Sequence, residues 1–110
     1  YARDFVGAIE SVLPAVVERG VRVIANAGGV NPESCARAVL AAAARHGAQG
    51  KVRVGVVTGD DLLPRLDELL ASGHELRNMD TGAPLSGIRD RVLSANAYIG
   101  STPIVEALAR

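Results

Sequence analysis

One pattern recurs along the chain and constrains its fold: a short apolar run rich in β-branched residues, then a glycine turn, then an amphipathic helix. The first run spans residues 21–27 (VRVIANA) and the second spans residues 51–58 (KVRVGVVT). Runs that are apolar at nearly every position are typical of parallel strands buried on both faces. A third, weaker run at residues 92–99 (VLSANAYI) is expected to add a third strand.

The segments between these runs have the apolar periodicity of helices. Apolar residues at helical spacing predict helices over residues 4–19, 32–46 and 62–70, and a last helix from Ile104 onward. Pro14 is expected to kink or break the first of them. Because strands alternate with helices, the order α-β-α-β-α-loop-β-α predicts a Rossmann-like three-layer α/β/α fold with a parallel sheet of at least three strands.

The length of 110 residues bounds the domain organisation. A chain of this size can bury one hydrophobic core but not two, so residues 1–110 are expected to form a single α/β domain. The chain begins at Tyr1 rather than at Met, and it stops at Arg110 inside a predicted helix. We therefore expect it to be a piece of a longer polypeptide.

Composition excludes several classes of function. Twelve basic and twelve acidic residues give a net charge of zero, which argues against binding to nucleic acid or to an anionic membrane surface. The single cysteine, Cys35, cannot form an internal disulfide, so a reducing cytoplasm fits, and its place on an apolar helix stripe predicts a core residue. No transmembrane helix, signal peptide or Cys/His metal cluster is predicted, and the cofactor stays open.

Polar residues follow each predicted strand at its C-terminal end, where open α/β sheets bind their ligands. We expect a small metabolite to lie over these residues. The candidate catalytic residues are Asp60 and Asp61, and the candidate ligand-binding residues are Asn26, Gly28, Gly29, Asn31, Asn96 and Ser101.

Two of these groups also have a plainer interpretation. The Gly28-Gly29 pair lets a backbone approach an anion beside the amides of the helix that starts at Pro32, or it is only a tight turn. Asp60 and Asp61 could act as a base or bind a metal, or one of them could only cap the next helix.

Residues 74–91 form a segment with no clear period, which is long for a loop in a compact domain. Within it, Asp80-Thr81-Gly82 matches the triplet of aspartic proteases. That chemistry needs the triplet to follow a strand in an all-β domain, so that two aspartates can share a proton. A turn is therefore the favoured interpretation of the triplet.

Three strings along the chain resemble the acyclic terpene utilisation (AtuA-like) family. They are VIANAGGVNP at residues 23–32, GDDLL at residues 59–63 and LSANAYIG at residues 93–100. Members of that family are several times longer than this chain, so the resemblance implies an N-terminal fragment. It also implies a cytoplasmic bacterial protein of the catabolism of acyclic terpenes such as citronellol and geraniol, a pathway that runs through acyl-CoA thioesters. The family brings no settled catalytic residues that could be transferred.

We therefore expect part of an enzyme that acts on a small carboxylated or CoA-linked metabolite. Backbone amides near Pro32 would hold an anion, and an aspartate would serve as a base or a metal ligand. The alternative is a non-catalytic interaction or assembly domain in the same pathway. In either case the expected partners are the metabolite and further copies of the protein in a homo-oligomer or larger assembly, not nucleic acid or a membrane.

Overall fold

The computed structural model describes all 110 residues and contains helices but no β-sheet. Its α-helices are α1 (Arg3–Arg19), α2 (Pro32–Arg45), α3 (Leu66–Ala71) and α4 (Thr102–Leu108), and its 3-10 helices are Leu63–Arg65 and Leu85–Arg91. The only β-type pairings are two isolated antiparallel bridges, Asp61–Asn96 and Arg77–Pro84. None of the helices combines the length and the apolar composition needed to cross a membrane.

The predicted Rossmann-like three-layer α/β/α fold with a parallel sheet is therefore wrong. Residues 22–26 and 52–58 form no backbone–backbone hydrogen bond, and residues 92–99 form only one bridge. β-branched residues favour an extended backbone, but a strand exists only where a neighbouring strand pairs with it. Without a pairing partner the first run stays open to solvent, and Val23 and Ile24 are 46% and 60% exposed.

The chain divides into two compact units. Unit 1 comprises residues 1–58 and 101–110, and unit 2 comprises residues 59–100. That they act together as a single domain, as the chain length suggests, stays a prediction.

Helix α1 ends as its sequence predicts but is not interrupted where its sequence suggests. Gly20 follows the last turn with a φ of 63°, the left-handed conformation that glycine adopts at low cost. The helix continues through Pro14, so a break there is wrong, and a kink at this position stays a prediction. A proline removes only one backbone donor, and we attribute the continuity to the packing of the buried Leu13 before Pro14 and the partly buried Val17 after it.

Helix α2 begins with a side-chain cap, because the backbone N–H of Ser34 donates to Asn31 Oδ1 at 3.0 Å. Pro32 occupies the first turn, where a missing N–H costs nothing. His46 follows the last helical residue as the C-cap. Cys35 is 6% exposed, so its prediction as a core residue is confirmed.

The core of unit 1 lies between α1 and α2. Leu13 from α1 packs with Ala43 from α2 and with Ala48 from the following turn, while Val17 and Val52 cover the edge of this cluster. Leu13 and Ala43 are each 2% exposed. The small alanine side chains allow the two helices to approach closely, and burying Leu13 contributes roughly 1.5–3 kcal/mol.

A polar contact joins the same two helices at the surface. Arg45 Nη2 donates to Glu10 Oε1 at 2.6 Å, and His46 Nε2 lies 3.6 Å from the same oxygen. The Arg45 side chain is 60% exposed. Solvent therefore limits the contact to about 1 kcal/mol or less, so it orients the helices more than it stabilises them.

Unit 2 is organised around Leu66, which is 2% exposed. The helix predicted over residues 62–70 is shorter than expected, because its first turn is the 3-10 helix around Pro64. Arg89 of the second 3-10 helix donates to both carboxylate oxygens of Asp67, at 2.7 and 3.0 Å. This bidentate contact ties a segment with no sequence periodicity to α3.

We predict that Leu13→Ala lowers the free energy of unfolding by about 2–5 kcal/mol, because it leaves a cavity between α1 and α2. The matched control is Val12→Ala on the same helix, where the side chain is 44% exposed. Urea denaturation followed by circular dichroism measures both. Equal losses in the two variants would contradict the packing of Leu13 described above.

A second prediction concerns the titration of Glu68. Hydrogen bonds and charge attraction from Arg65 hold the pKa of Glu68 below its ordinary value. The pair therefore contributes stability above the unfolded pKa of Glu68, and this contribution is lost as the pH falls through the lower folded pKa. In Arg65→Met, the pKa of the Glu68 carboxyl, measured by NMR titration, is expected to rise. Arg91→Met is the control and should leave the pKa of Glu68 unchanged.

Candidate functional site

The structure places the predicted site residues in both units. Asn26, Gly28, Gly29, Asn31 and Ser101 belong to unit 1, and Asp60, Asp61 and Asn96 belong to unit 2. The three residues of unit 2 come together, and they form the strongest candidate site. We call them the Asp60–Asn96 cluster.

A side-chain hydrogen bond joins two members of this cluster across 36 positions of sequence. Asn96 Nδ2 donates to Asp60 Oδ2 at 2.9 Å. Asp60 is half-buried and Asn96 is exposed, so the pair lies at the surface with one carboxylate oxygen already held. The other carboxylate oxygen, Asp60 Oδ1, and the amide oxygen of Asn96 remain free to accept hydrogen bonds.

Backbone pairing fixes this contact in place. The N–H of Leu62 donates to the carbonyl of Ala95, and the N–H of Ala97 donates to the carbonyl of Asp60, both at 2.8 Å. These two hydrogen bonds lie on either side of the isolated antiparallel bridge between Asp61 and Asn96. The sequence predicts these residues at the ends of parallel strands, whereas the observed pairing is antiparallel and a single residue pair long.

Asp61 turns its carboxylate toward its own segment. The backbone N–H of Leu63 donates to Asp61 Oδ1 at 3.0 Å, just before the 3-10 helix begins. It is a local turn bond and not the predicted helix cap, because Leu62 occupies the N-cap position and no side chain caps this helix. Asp60 makes no such bond to its own segment, so it is the aspartate with more freedom to act on a ligand.

The cluster presents hydrogen-bond acceptors and no cation. Neither Asp60 nor Asp61 forms an ion pair. Such a set of oxygens accepts hydrogen bonds from hydroxyl or amino groups, and it repels a carboxylate or a phosphate. The chain contains no group of three or more His, Cys, Asp or Glu side chains that could hold a metal ion.

The glycine turn of unit 1 is shaped by its own residues. A Cβ atom at Gly28 would lie 2.6 Å from the Cβ of Pro32, so the close approach that glycine permits is to this proline. Gly29 has a φ of 51°, and the N–H of Asn31 donates to the carbonyl of Gly28 at 3.0 Å. These contacts support the interpretation of a tight turn, and ligand binding at Gly28, Gly29 and Asn31 stays a prediction.

Asn26 and Ser101 make no side-chain hydrogen bond, and both are exposed. Ser101 stands at the N-cap position of α4, but its hydroxyl does not cap the helix. The structure gives neither residue a polar partner, so their roles in ligand binding also stay predictions.

The side chain of Asn78 orders the turn that the sequence predicts at Asp80-Thr81-Gly82. Asn78 Oδ1 accepts hydrogen bonds from the N–H groups of Asp80 and Thr81, both at 2.9 Å, and from Thr81 Oγ1 at 3.1 Å. The turn interpretation of Asp80-Thr81-Gly82 is thus confirmed, and Met79 at its tip is 100% exposed. Asparagine favours turns because its side-chain oxygen accepts hydrogen bonds from backbone N–H groups two and three residues further along the chain.

Comparison with known proteins gives one result. Neither the curated proteins nor the solved structures contain a match to this chain. The family model described as "Acyclic terpene utilisation family protein AtuA" matches residues 1–110, the whole chain. The resemblance carried by the three strings is therefore confirmed, and the chain belongs to the AtuA family of acyclic terpene utilisation proteins.

Proposed function

We propose that this chain forms part of a cytoplasmic bacterial enzyme of acyclic terpene catabolism, with the Asp60–Asn96 cluster as a small-metabolite site. The observation that carries the proposal is the 2.9 Å hydrogen bond from Asn96 Nδ2 to Asp60 Oδ2. This hydrogen bond joins two segments that are distant in sequence, and neither of its residues belongs to the hydrophobic core. Membership of the family supports an acyclic terpenoid as the substrate class, and we propose that it is bound as a carboxylate or a CoA thioester.

In this proposal Asp60 is the proton acceptor. Its free oxygen, Oδ1, would take a proton from a hydroxyl or another donor of the substrate, and the proton would stay on the carboxyl group until it is returned. Asn96 holds the other oxygen and so fixes the direction in which Oδ1 points. Asp61 maintains the turn through its bond to the N–H of Leu63.

The same charges limit which part of a ligand the cluster can take. Two carboxylates without a cationic partner repel the carboxylate of a terpenoid acid and the phosphates of CoA. We therefore propose that the cluster contacts the neutral portion of the substrate. An anion-binding role for the glycine turn at Gly28 and Gly29 and the first amides of α2 is a separate proposal.

The alternative function is a non-catalytic assembly domain in the same pathway. Three large apolar side chains of unit 2 favour it, because they are almost completely exposed: Met79, Leu93 and Tyr98. Exposed apolar groups of this size often mark contacts between proteins.

We predict that Asp60→Asn reduces the rate of the reaction by about 10²- to 10⁴-fold, as expected for the loss of a general base. The substitution keeps the size of the side chain and an acceptor oxygen, so the melting temperature should hardly change. The measurement is growth on citronellol or geraniol of a bacterium that lacks its own copy and expresses the full-length protein.

The matched control is Asp90→Asn, which neutralises an exposed aspartate of the same unit that makes no side-chain hydrogen bond. It should support growth at the wild-type rate. If Asp60→Asn grows equally well, Asp60 is not the base, and the assembly function becomes the better account. Thermal shifts of the full-length protein with acetyl-CoA, geranic acid and MgCl₂ measure the binding of each compound independently of catalytic activity.

A further inference from the structure

The loop of residues 77–84 holds Met79 in a fixed, open position. Its two ends meet in the bridge from Arg77 to Pro84, and Arg77 Nη1 donates to the carbonyl of Gly82 at 2.8 Å. The side chain of Asn78 supplies three further bonds inside the loop. None of these bonds needs the side chain of Met79, which is therefore presented to solvent by an ordered support. Methionine in such a position is typical of binding surfaces.

Unit 1 carries an apolar hollow of about 390 Å³ beside the C-terminal half of α2. We call it the alanine hollow, and its lining includes Leu40, Ala41, Ala44, Ala48 and Val52. The hollow exists because small side chains occupy consecutive turns of the helix. An unbranched, flexible methionine side chain is well suited to fill such a space.

Charge distinguishes the two surfaces. Unit 1 has eight basic and five acidic residues, a net charge of +3, and unit 2 has four and seven, a net charge of −3. Lys51 lies between two lining residues of the hollow, and Asp80 follows Met79 in the loop. Neither forms an ion pair within its own chain.

We propose that copies of this chain associate head to tail, with Met79 of one copy seated in the alanine hollow of the next. Asp80 of the first copy then meets Lys51 of the second at the rim of the contact. The opposite net charges of the two units favour a second copy as the occupant, because the acidic unit of one chain attracts the basic unit of another. Each copy offers one loop and one hollow, so the contact is heterologous and can continue from copy to copy.

The first experiment is sedimentation velocity of the full chain over a range of concentrations. So small a contact is expected to be weak, so the range has to reach about 1 mM. The wild type should increase in average mass with concentration, whereas Met79→Asp should stay monomeric because a charge enters the apolar hollow. The matched control is Ile88→Asp, which introduces the same charge at another exposed apolar side chain of unit 2 and should associate like the wild type.

A mixing experiment distinguishes this geometry from other modes of association. Ala44→Phe fills the hollow but keeps the loop, and Met79→Asp keeps the hollow but loses the loop anchor. Each variant alone should be monomeric, and an equimolar mixture should form dimers and nothing larger, because only one productive contact is then possible. Circular dichroism establishes that both variants keep their helices.

The rim pair adds a test of orientation. Lys51→Glu is expected to weaken association about two- to fivefold, the range for an exposed ion pair, and adding Asp80→Lys should restore it. The proposal is overturned if the wild type is monomeric at every concentration, if Met79→Asp associates normally, or if the two variants do not complement each other. Association that only Ala44→Phe abolishes would mean that the hollow takes a different segment, and this also overturns it.

Discussion

The packing of α1 against α2 through small side chains is the interaction on which unit 1 depends. Leu13 can be buried because Ala43 leaves room for the two helix backbones to approach. The buried leucine stabilises the unit by more than the exposed Glu10–Arg45 contact does, since solvent screens that ion pair. Further alanines along the same helix line the alanine hollow. The alanine-rich sequence of α2 therefore shapes both the core of unit 1 and this hollow at its surface.

Local signals explain why the helices could be predicted from the sequence. A cap such as Asn31, a following Pro32 and a terminal Gly20 act through atoms only a few residues away, so their effect does not depend on the rest of the fold. A strand has no such independence. Val23 and Ile24 have the residue types of a buried strand, but their backbone groups need a neighbour that the chain does not place beside them.

The Asp60–Asn96 cluster could be predicted only in part from the sequence. Polar residues directly after apolar runs indicated which positions to consider, and the structure brings Asp60 and Asn96 into contact. The expected reason was a shared edge of a parallel sheet, whereas the observed reason is one antiparallel bridge with two backbone hydrogen bonds beside it. Which atoms meet depends on tertiary contacts that no spacing in the sequence encodes, whereas the bond from the N–H of Leu63 to Asp61 is a local one.

The net charge of zero hides an uneven distribution of charge between the two units, and this distribution affects every proposed partner. Taken over the whole chain, the charges argue against a polyanion such as nucleic acid. Divided by unit, the same residues give an acidic unit that contains the cluster and a basic unit that contains the glycine turn. An anionic metabolite is therefore expected to favour the unit without the aspartate pair, and in the proposed function Asp60 acts on a part of the ligand that carries no negative charge. The electrostatics thus restrict the chemistry at Asp60 more narrowly than the presence of two neighbouring carboxylates does.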